Sequence, residues 1–246
     1  MLGLGLALVP GGNAAEYELN LTAKENGWLA QEHPVRVRVT NFAPHIFLKN
    51  GEAKGISVDF LKLIGERAGI EFVFTSETRG FWEAVDSLAR GEGPDLILGM
   101  ERNPKYDRQI LFSKDYMSTP HVIYTRTESA FVSGIADLSG RSLAIMPGGP
   151  TEKYAKQYPD IQIEPFSSDR EALEAVVKGR ADAYVGDLMV ATYLIESNGY
   201  SNLKVAAPGP LGDRLLCFGS RADWPELNSI INKALDTISP AERSAM

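Results

Sequence analysis

The amino-acid sequence predicts an α/β protein of two lobes, each a mixed, mostly parallel sheet flanked by helices, with two hinge crossings between them. Three observations carry this. A β-α-β-α-β pattern occupies residues 35–116 and begins again over 120–212, and right-handed crossovers turn each such run into a parallel sheet. No low-complexity linker separates the two runs. Extended stretches near 117–119 and 213–215 join them, and a double crossing lets two bodies hinge without wandering. A single doubly wound sheet is the alternative on pattern alone.

Residues 1–15, MLGLGLALVPGGNAA, form an apolar run with a small-residue tail, the pattern of a secretory-signal remnant, too short to span a bilayer. A mildly apolar tail is the other reading. A lead-in helix is expected within 16–34, starting at Thr22, with Leu21, Trp28 and Leu29 apolar.

Lobe one is expected over 35–116 and 214–246. Strand 35–40 alternates valine with polar residues. The turn NFAPH and the loop NGEAKG follow. Ser57 is then expected to cap a helix through Ala68, with Val58, Leu61 and Ile64 on one face and Gly69 just past its end. Strand 71–75 and helix 81–90 lead to the short apolar strand 95–98, which delivers the polar loop 99–108 to its carboxyl end. In open parallel sheets small ligands sit in that crevice, so this loop is the candidate ligand wall.

Lobe two, 120–212, opens with strand 122–125. It continues with strand 142–146, a helix with Pro150 in its first turn, strand 161–163 and a helix capped by Asp169. Strand 182–185, a helix opened by Asp187 and strand 203–206 complete it. Strand 215–220 and helix 225–238, with Asp223 as its cap, return to lobe one.

The formal charge of −7 and the pI near 5.1 speak against nucleic acid as a partner, and no basic stripe counters them. Cys217 is the only cysteine, so neither an intrachain disulfide nor a cysteine-based zinc site is available. His33, His45 and His121 are scattered, with no glutamate at catalytic-zinc spacing, and no metal or other cofactor is expected. Export without a cysteine pair fits the extracytoplasmic, periplasmic side of a bacterial inner membrane.

Five blocks in order, NFAPHIFLKNGEAKGISVDFLKLIGERAG, PDLILGM with FSKDY, LSGRSLAIMPGG, ALEAVVKGRADAYVGD and ADWPELNSIINKALDTISPAER, resemble the family 3 solute-binding proteins. That resemblance implies the type II periplasmic-binding, or Venus flytrap, fold, with a small-molecule ligand between lobes that close on it. The start, LTAKENGWLAQEHPVRV, resembles the lead-in of the sensor domains of BvgS-type histidine kinases.

In amino-acid binders of that family, the resemblance places an aromatic that stacks on the ligand at Phe42. It places hydrogen-bonding groups at Gly99, Met100 and Glu101, and the carboxylate that takes the ligand's ammonium at Asp187. Asp182 is read as structural. Two positions depart from the family pattern. Tyr106 stands where the family carries its carboxylate-binding arginine, with Arg108 two residues along and on the same side of an extended loop. Pro150, between Gly149 and Thr151, has no N–H to give at the helix start. The main carboxylate clamp is thereby lost. With Phe42, Tyr106 and Tyr116 as aromatic faces, the expected ligand is amine-bearing or flat.

Three functions compete. The sensor reading expects transmembrane and cytoplasmic kinase parts in a longer parent and leaves homodimerisation open. A free solute-binding protein of an ABC transporter for amino acids or similar small polar solutes is the alternative. An enzyme would need a nucleophile with a base beside it, and the sequence offers no catalytic residue set. The chain stops within SPAERSAM, where the family continues, so an excised fragment is expected.

Overall fold

The structure is a computed structural model that describes residues 19–76, 79–148 and 150–246. The expected signal remnant, the first residues of the lead-in and Gly149 lie outside the described residues.

Helix α1 (Ala23–Leu29) starts at Thr22 through a capping box with Glu25. Trp28 is buried edge-on against Trp224, with ring centroids 5.6 Å apart. Lys233 Nζ lies 2.7 Å from Glu25. Burial alone would raise the Glu25 carboxyl, but hydrogen bonds from Lys233 and the Thr22 backbone hold it down to about 2. One face of a short helix is thus fixed to the outside of lobe one.

Strand β1 (Val35–Val39) is followed by a hairpin of β2 (Phe47–Lys49) and β3 (Glu52–Lys54) where the sequence reading expects only a loop. The signal is Asn50-Gly51, with φ of 54° and 81°, the positive values a two-residue hairpin turn needs. Helix α2 (Ile56–Ala68) is also entered differently from expectation, because Ser57 is not its cap. Gly55 takes that place with φ 117° and no side-chain bond, and a Cβ there would meet the carbonyl oxygens of Pro44 and His45 at 2.5 Å. Those carbonyls accept the N–H groups of Ile56 and Ser57, at 3.1 and 3.0 Å. The turn that carries His45 is therefore docked on the amino end of α2.

Strand β4 (Phe72–Ser76), helix α3 (Phe81–Ala89), strand β5 (Leu96–Met100) and strand β6 (Ile110–Phe112) complete this half of lobe one. β1 lies parallel between β4 and β5. Asp95, just before β5, is buried and holds Arg36 and Arg221 at 2.9 Å each.

Strand β7 (Met117–Arg126) starts the second half. Strand β8 (Ser142–Ile145), helix α4 (Pro150–Ala155), strand β9 (Gln162–Pro165), helix α5 (Asp169–Val177), strand β10 (Ala183–Asp187) and helix α6 (Leu188–Asn198) follow. β8 lies parallel between β9 and β10, and β10 pairs antiparallel with β7. Ser168, not Asp169, caps α5 by accepting the Glu171 N–H. Asp169 instead accepts the Tyr184 hydroxyl at 2.6 Å.

Strand β11 (Leu203–Arg221) is one element where the sequence reading had two, because Pro208, Pro210 and Gly212 punctuate it as irregularities rather than breaks. It runs antiparallel to β7 over nearly the whole of that strand, then pairs with β5 and β6. Residues 213–216 face residues 117–120. Helices α7 (Pro225–Thr237) and α8 (Pro240–Ala245) pack back on lobe one. α7 begins at Pro225 without a side-chain cap, while Asp223 pairs with Arg221 at 2.6 Å instead.

The result is a two-lobed α/β fold whose strand order β4-β1-β5-β11-β7-β10-β8-β9 passes from one lobe to the other through β11 and β7. Separate apolar cores sit in each lobe, and Phe42 packs against both.

Candidate functional site

The candidate site is built where the carboxyl ends of β5 and β10 approach the β7–β11 ladder. Asp187 is both the last residue of β10 and the cap of α6. Its Oδ1 accepts the N–H groups of Met189 and Val190, at 2.9 and 3.1 Å, and the Thr119 hydroxyl at 3.0 Å. Three donors saturate that oxygen. Oδ2 turns toward the other lobe, 3.4 Å from His45 Nε2 and 3.8 Å from Arg214 Nη1.

His45 is fully buried, its ring stacked on Phe42 with centroids 5.1 Å apart. Arg214, on the β11 crossing, donates from Nε to Glu101 Oε1 at 2.7 Å. A line of charge thus runs from Glu101 of lobe one through Arg214 to Asp187 of lobe two, with His45 closing on the same carboxylate. Burial works to raise the Asp187 carboxyl, yet His45, the Val190 N–H and Arg214 hold it below the ordinary range. Opposite Asp187 in the β7 register stands His121, which burial and the Arg214 charge lower to about 4.

The remaining expected site residues divide. Gly99, at φ 66°, and Glu101 border a cavity of about 240 Å³, together with Phe81, Trp82, Arg102 and Arg214. A larger hollow of about 480 Å³ lies between α2 and β4 on the outer face of lobe one, near Lys62 and Phe74, far from this chemistry. The smaller one adjoins the charged line and is the candidate. Met100 borders it too, but the side chain is buried in the lobe-one core. Thr151 is half-buried in the first turn of α4, which starts at Pro150 as expected.

Tyr106 is a correction. Its ring belongs to the buried cluster with Ala84, Val85 and Leu88, and its hydroxyl donates to Asp86 at 2.6 Å, because residues 104–106 form a helical turn rather than an extended loop. For the same reason the two-residue alternation that would bring Arg108 to its side does not hold, and Arg108 is exposed. Tyr116 is likewise a core residue, stacked on Phe218 at 4.2 Å and hydrogen-bonded to Ser57 at 2.7 Å. Neither tyrosine offers a face to the cleft.

His45, Thr119, His121 and Arg214 are the residues that sequence reasoning missed. Thr119 and Arg214 lie in the crossings, where a side chain reaches both lobes, and that was their available signal. His45 stands three residues after Phe42 and directly after Pro44, in a turn whose docking against Gly55 shows only in three dimensions. Among the described residues no group of three or more His, Cys, Asp or Glu side chains could hold a metal ion, and no helix is long and apolar enough to cross a membrane.

Comparison with known proteins bears on the family and the fold. The family model of the bacterial extracellular solute-binding proteins, family 3, matches residues 35–244. The virulence sensor protein BvgS of Bordetella pertussis is 27% identical over 249 residues, 99% of this chain, and the chain spans 19% of that protein's length. The crystal structure of the Bordetella pertussis BvgS periplasmic VFT2 domain superposes with a TM-score of 0.78 at 27% identity, covering 91% of this chain and 96% of that one. An amino-acid ABC transporter-binding protein from Vibrio harveyi is 26% identical over 79% of this chain and 78% of its own length.

Proposed function

The chain belongs to the bacterial extracellular solute-binding proteins, family 3, and on that premise we propose that it is the extracytoplasmic sensing domain of a longer membrane sensor histidine kinase. It binds a small solute between its lobes and signals by their closure. The lobes are residues 35–116 with 214–246, and residues 120–212, hinged near 117–119 and 213–215. The β7–β11 pairing supports that division, since among the described residues these two strands carry the backbone from one sheet to the other, residues 117–120 facing 213–216.

The single observation that carries the sensor reading is the lead-in. Helix α1 lies before the family match, yet it falls within the stretch that aligns with the sensor protein BvgS, and its Trp28 and Glu25 dock it on α7. The likeness to transporter-binding proteins covers less of the chain and supports a second reading, delivery of a solute to an ABC transporter. In the sensor reading this domain sits on the periplasmic side of an inner membrane, with the transmembrane and cytoplasmic kinase parts of the parent as covalent partners and a second copy as a candidate one.

The solute site is the cleft bordered by Phe42, the Gly99–Glu101 turn and Asp187. Phe81 and Trp82 supply the aromatic faces that Tyr106 and Tyr116 do not. The coding sequence beyond Met246 tests the role: a transmembrane segment followed by kinase sequence is expected, whereas a stop codon beside permease genes decides for the transporter. A melting screen over carboxylates, amines and flat heterocycles tests binding, since a solute at a hundredfold above its Kd adds about 2.7 kcal/mol. For a chain of this size that is about 5–10 °C.

A further inference from the structure

Asp187 carries two unlike oxygens. Oδ1 has three donors within 3.1 Å, while Oδ2 is buried without a hydrogen bond of good geometry. His45 Nε2 lies 3.4 Å and Arg214 Nη1 3.8 Å from Oδ2. A charge-assisted bond to a carboxylate normally closes to about 2.7–2.9 Å. Arg214 is held by Glu101 through its Nε at 2.7 Å, and its Nη1 stops short of Oδ2.

His45 is equally under-used. Its side chain is fully buried, and neither ring nitrogen makes a hydrogen bond. A buried imidazole left so costs the fold free energy. The ring's position is fixed from behind: the His45 carbonyl accepts the Ser57 N–H, and the ring lies on Phe42. The ring is therefore a rigid group presented by lobe one to Asp187 Oδ2, a buried carboxylate oxygen of lobe two that lacks a hydrogen bond.

We propose that His45 is a specificity-determining residue that occupies, from within the chain, the place on Asp187 that a solute's cationic group would take. This deepens the reading of the interlobe cleft as the solute site and rests on it. Two consequences follow. A solute that presents an ammonium must displace the imidazole, so small free amines are excluded unless the rest of the molecule contributes enough to move it. And closure across Asp187 is made by the chain's own side chains, so a solute lacking any cation binds in the adjoining cavity without disturbing it.

The test uses the full chain as wild type, His45→Ala and the double variant His45→Ala/Asp187→Asn, with methylammonium and imidazole as probes in calorimetry. Removing the ring leaves a site of its size beside Asp187, so His45→Ala is expected to bind imidazole and methylammonium at least about tenfold more tightly than wild type. The double variant is expected to lose that gain, because asparagine keeps the cap to α6 but not the charge. Wild type that binds methylammonium as tightly as His45→Ala overturns the proposal, since the place on Asp187 would then be open. So does a folded His45→Ala chain, judged by circular dichroism, that gains nothing.

If His45→Ala does not fold, the His45 ring nitrogens are compared by NMR in wild type and Asp187→Asn. A change in their shifts supports the contact, and unchanged shifts overturn it. Failure to find any natural solute would instead count against the solute-binding reading, while the imidazole result would stand apart from it.

Discussion

Asp182 and Asp187 lie five residues apart at opposite ends of the same strand, and they do opposite things. At the amino end, Asp182 takes the Ser142 N–H and hydroxyl at 3.0 and 2.9 Å and stands 3.4 Å from Arg126. All its partners belong to lobe two, and its carboxylate is 44% exposed. At the carboxyl end, Asp187 is buried, satisfies its own helix with one oxygen and turns the other across the cleft. An acid at the start of a parallel strand ties the sheet together. At its end it faces the crevice, which is where such sheets place ligands.

The largest expected effect belongs to Asp187→Ala. It removes the α6 cap, strands the Thr119 hydroxyl and leaves His45 and Arg214 without their carboxylate. Chemical denaturation should show a loss of about 3 kcal/mol, combining a lost cap with a broken buried pair. Asp187→Asn should recover the cap portion alone.

His121, facing Asp187 in the register, sharpens the comparison through pH. It is neutral in the fold, lowered from 6.5 to about 4 by burial and then by the Arg214 charge. As pH falls below 6.5 the unfolded chain takes up a proton that the folded chain refuses until about 4, so stability falls across that window and levels off below it. The difference between wild type and His121→Gln, followed from pH 7 to 4, should amount to about 3 kcal/mol.

Asp182→Ala is the smaller change. Two hydrogen bonds from Ser142 and a partly exposed ion pair are lost, about 1 kcal/mol. A loss as large as that of Asp187→Ala would erase the distinction between the two ends of the strand.

Asp187 was legible in the sequence as a helix start, because a carboxylate just before a helix, at the end of an apolar run, has a local signature, while its place in the cleft was read from the family resemblance. The two-lobed α/β fold was legible from the repeated β-α-β pattern for a similar reason: it rests on periodicity, which neighbours in sequence reveal. The misses are all decided by neighbours in space. Ser57 reads as a cap until the Pro44 and His45 carbonyls come within 2.5 Å of where a Gly55 side chain would stand. Residues 203–221 read as two strands because prolines and glycines punctuate them, yet β7 pairs with both parts, over 203–208 and 213–216, before β5 and β6 take the rest. Tyr106 reads as a cleft residue only if the loop is extended, and the turn begun by Pro104 carries its ring into the core. His45 has no local signature at all, since what defines it is a carboxylate 142 positions along the chain.

Small-angle scattering on wild type, Asp182→Ala and Asp187→Ala tests the central claim most directly, that the lobes meet through Asp187. Wild type and Asp182→Ala should share one compact radius of gyration, near the roughly 18 Å of a compact chain of this length, while Asp187→Ala, still folded, should be measurably larger as the lobes part. The same radius for all three folded chains would contradict the account, because the contacts of His45 and Arg214 with Asp187 would then hold nothing closed.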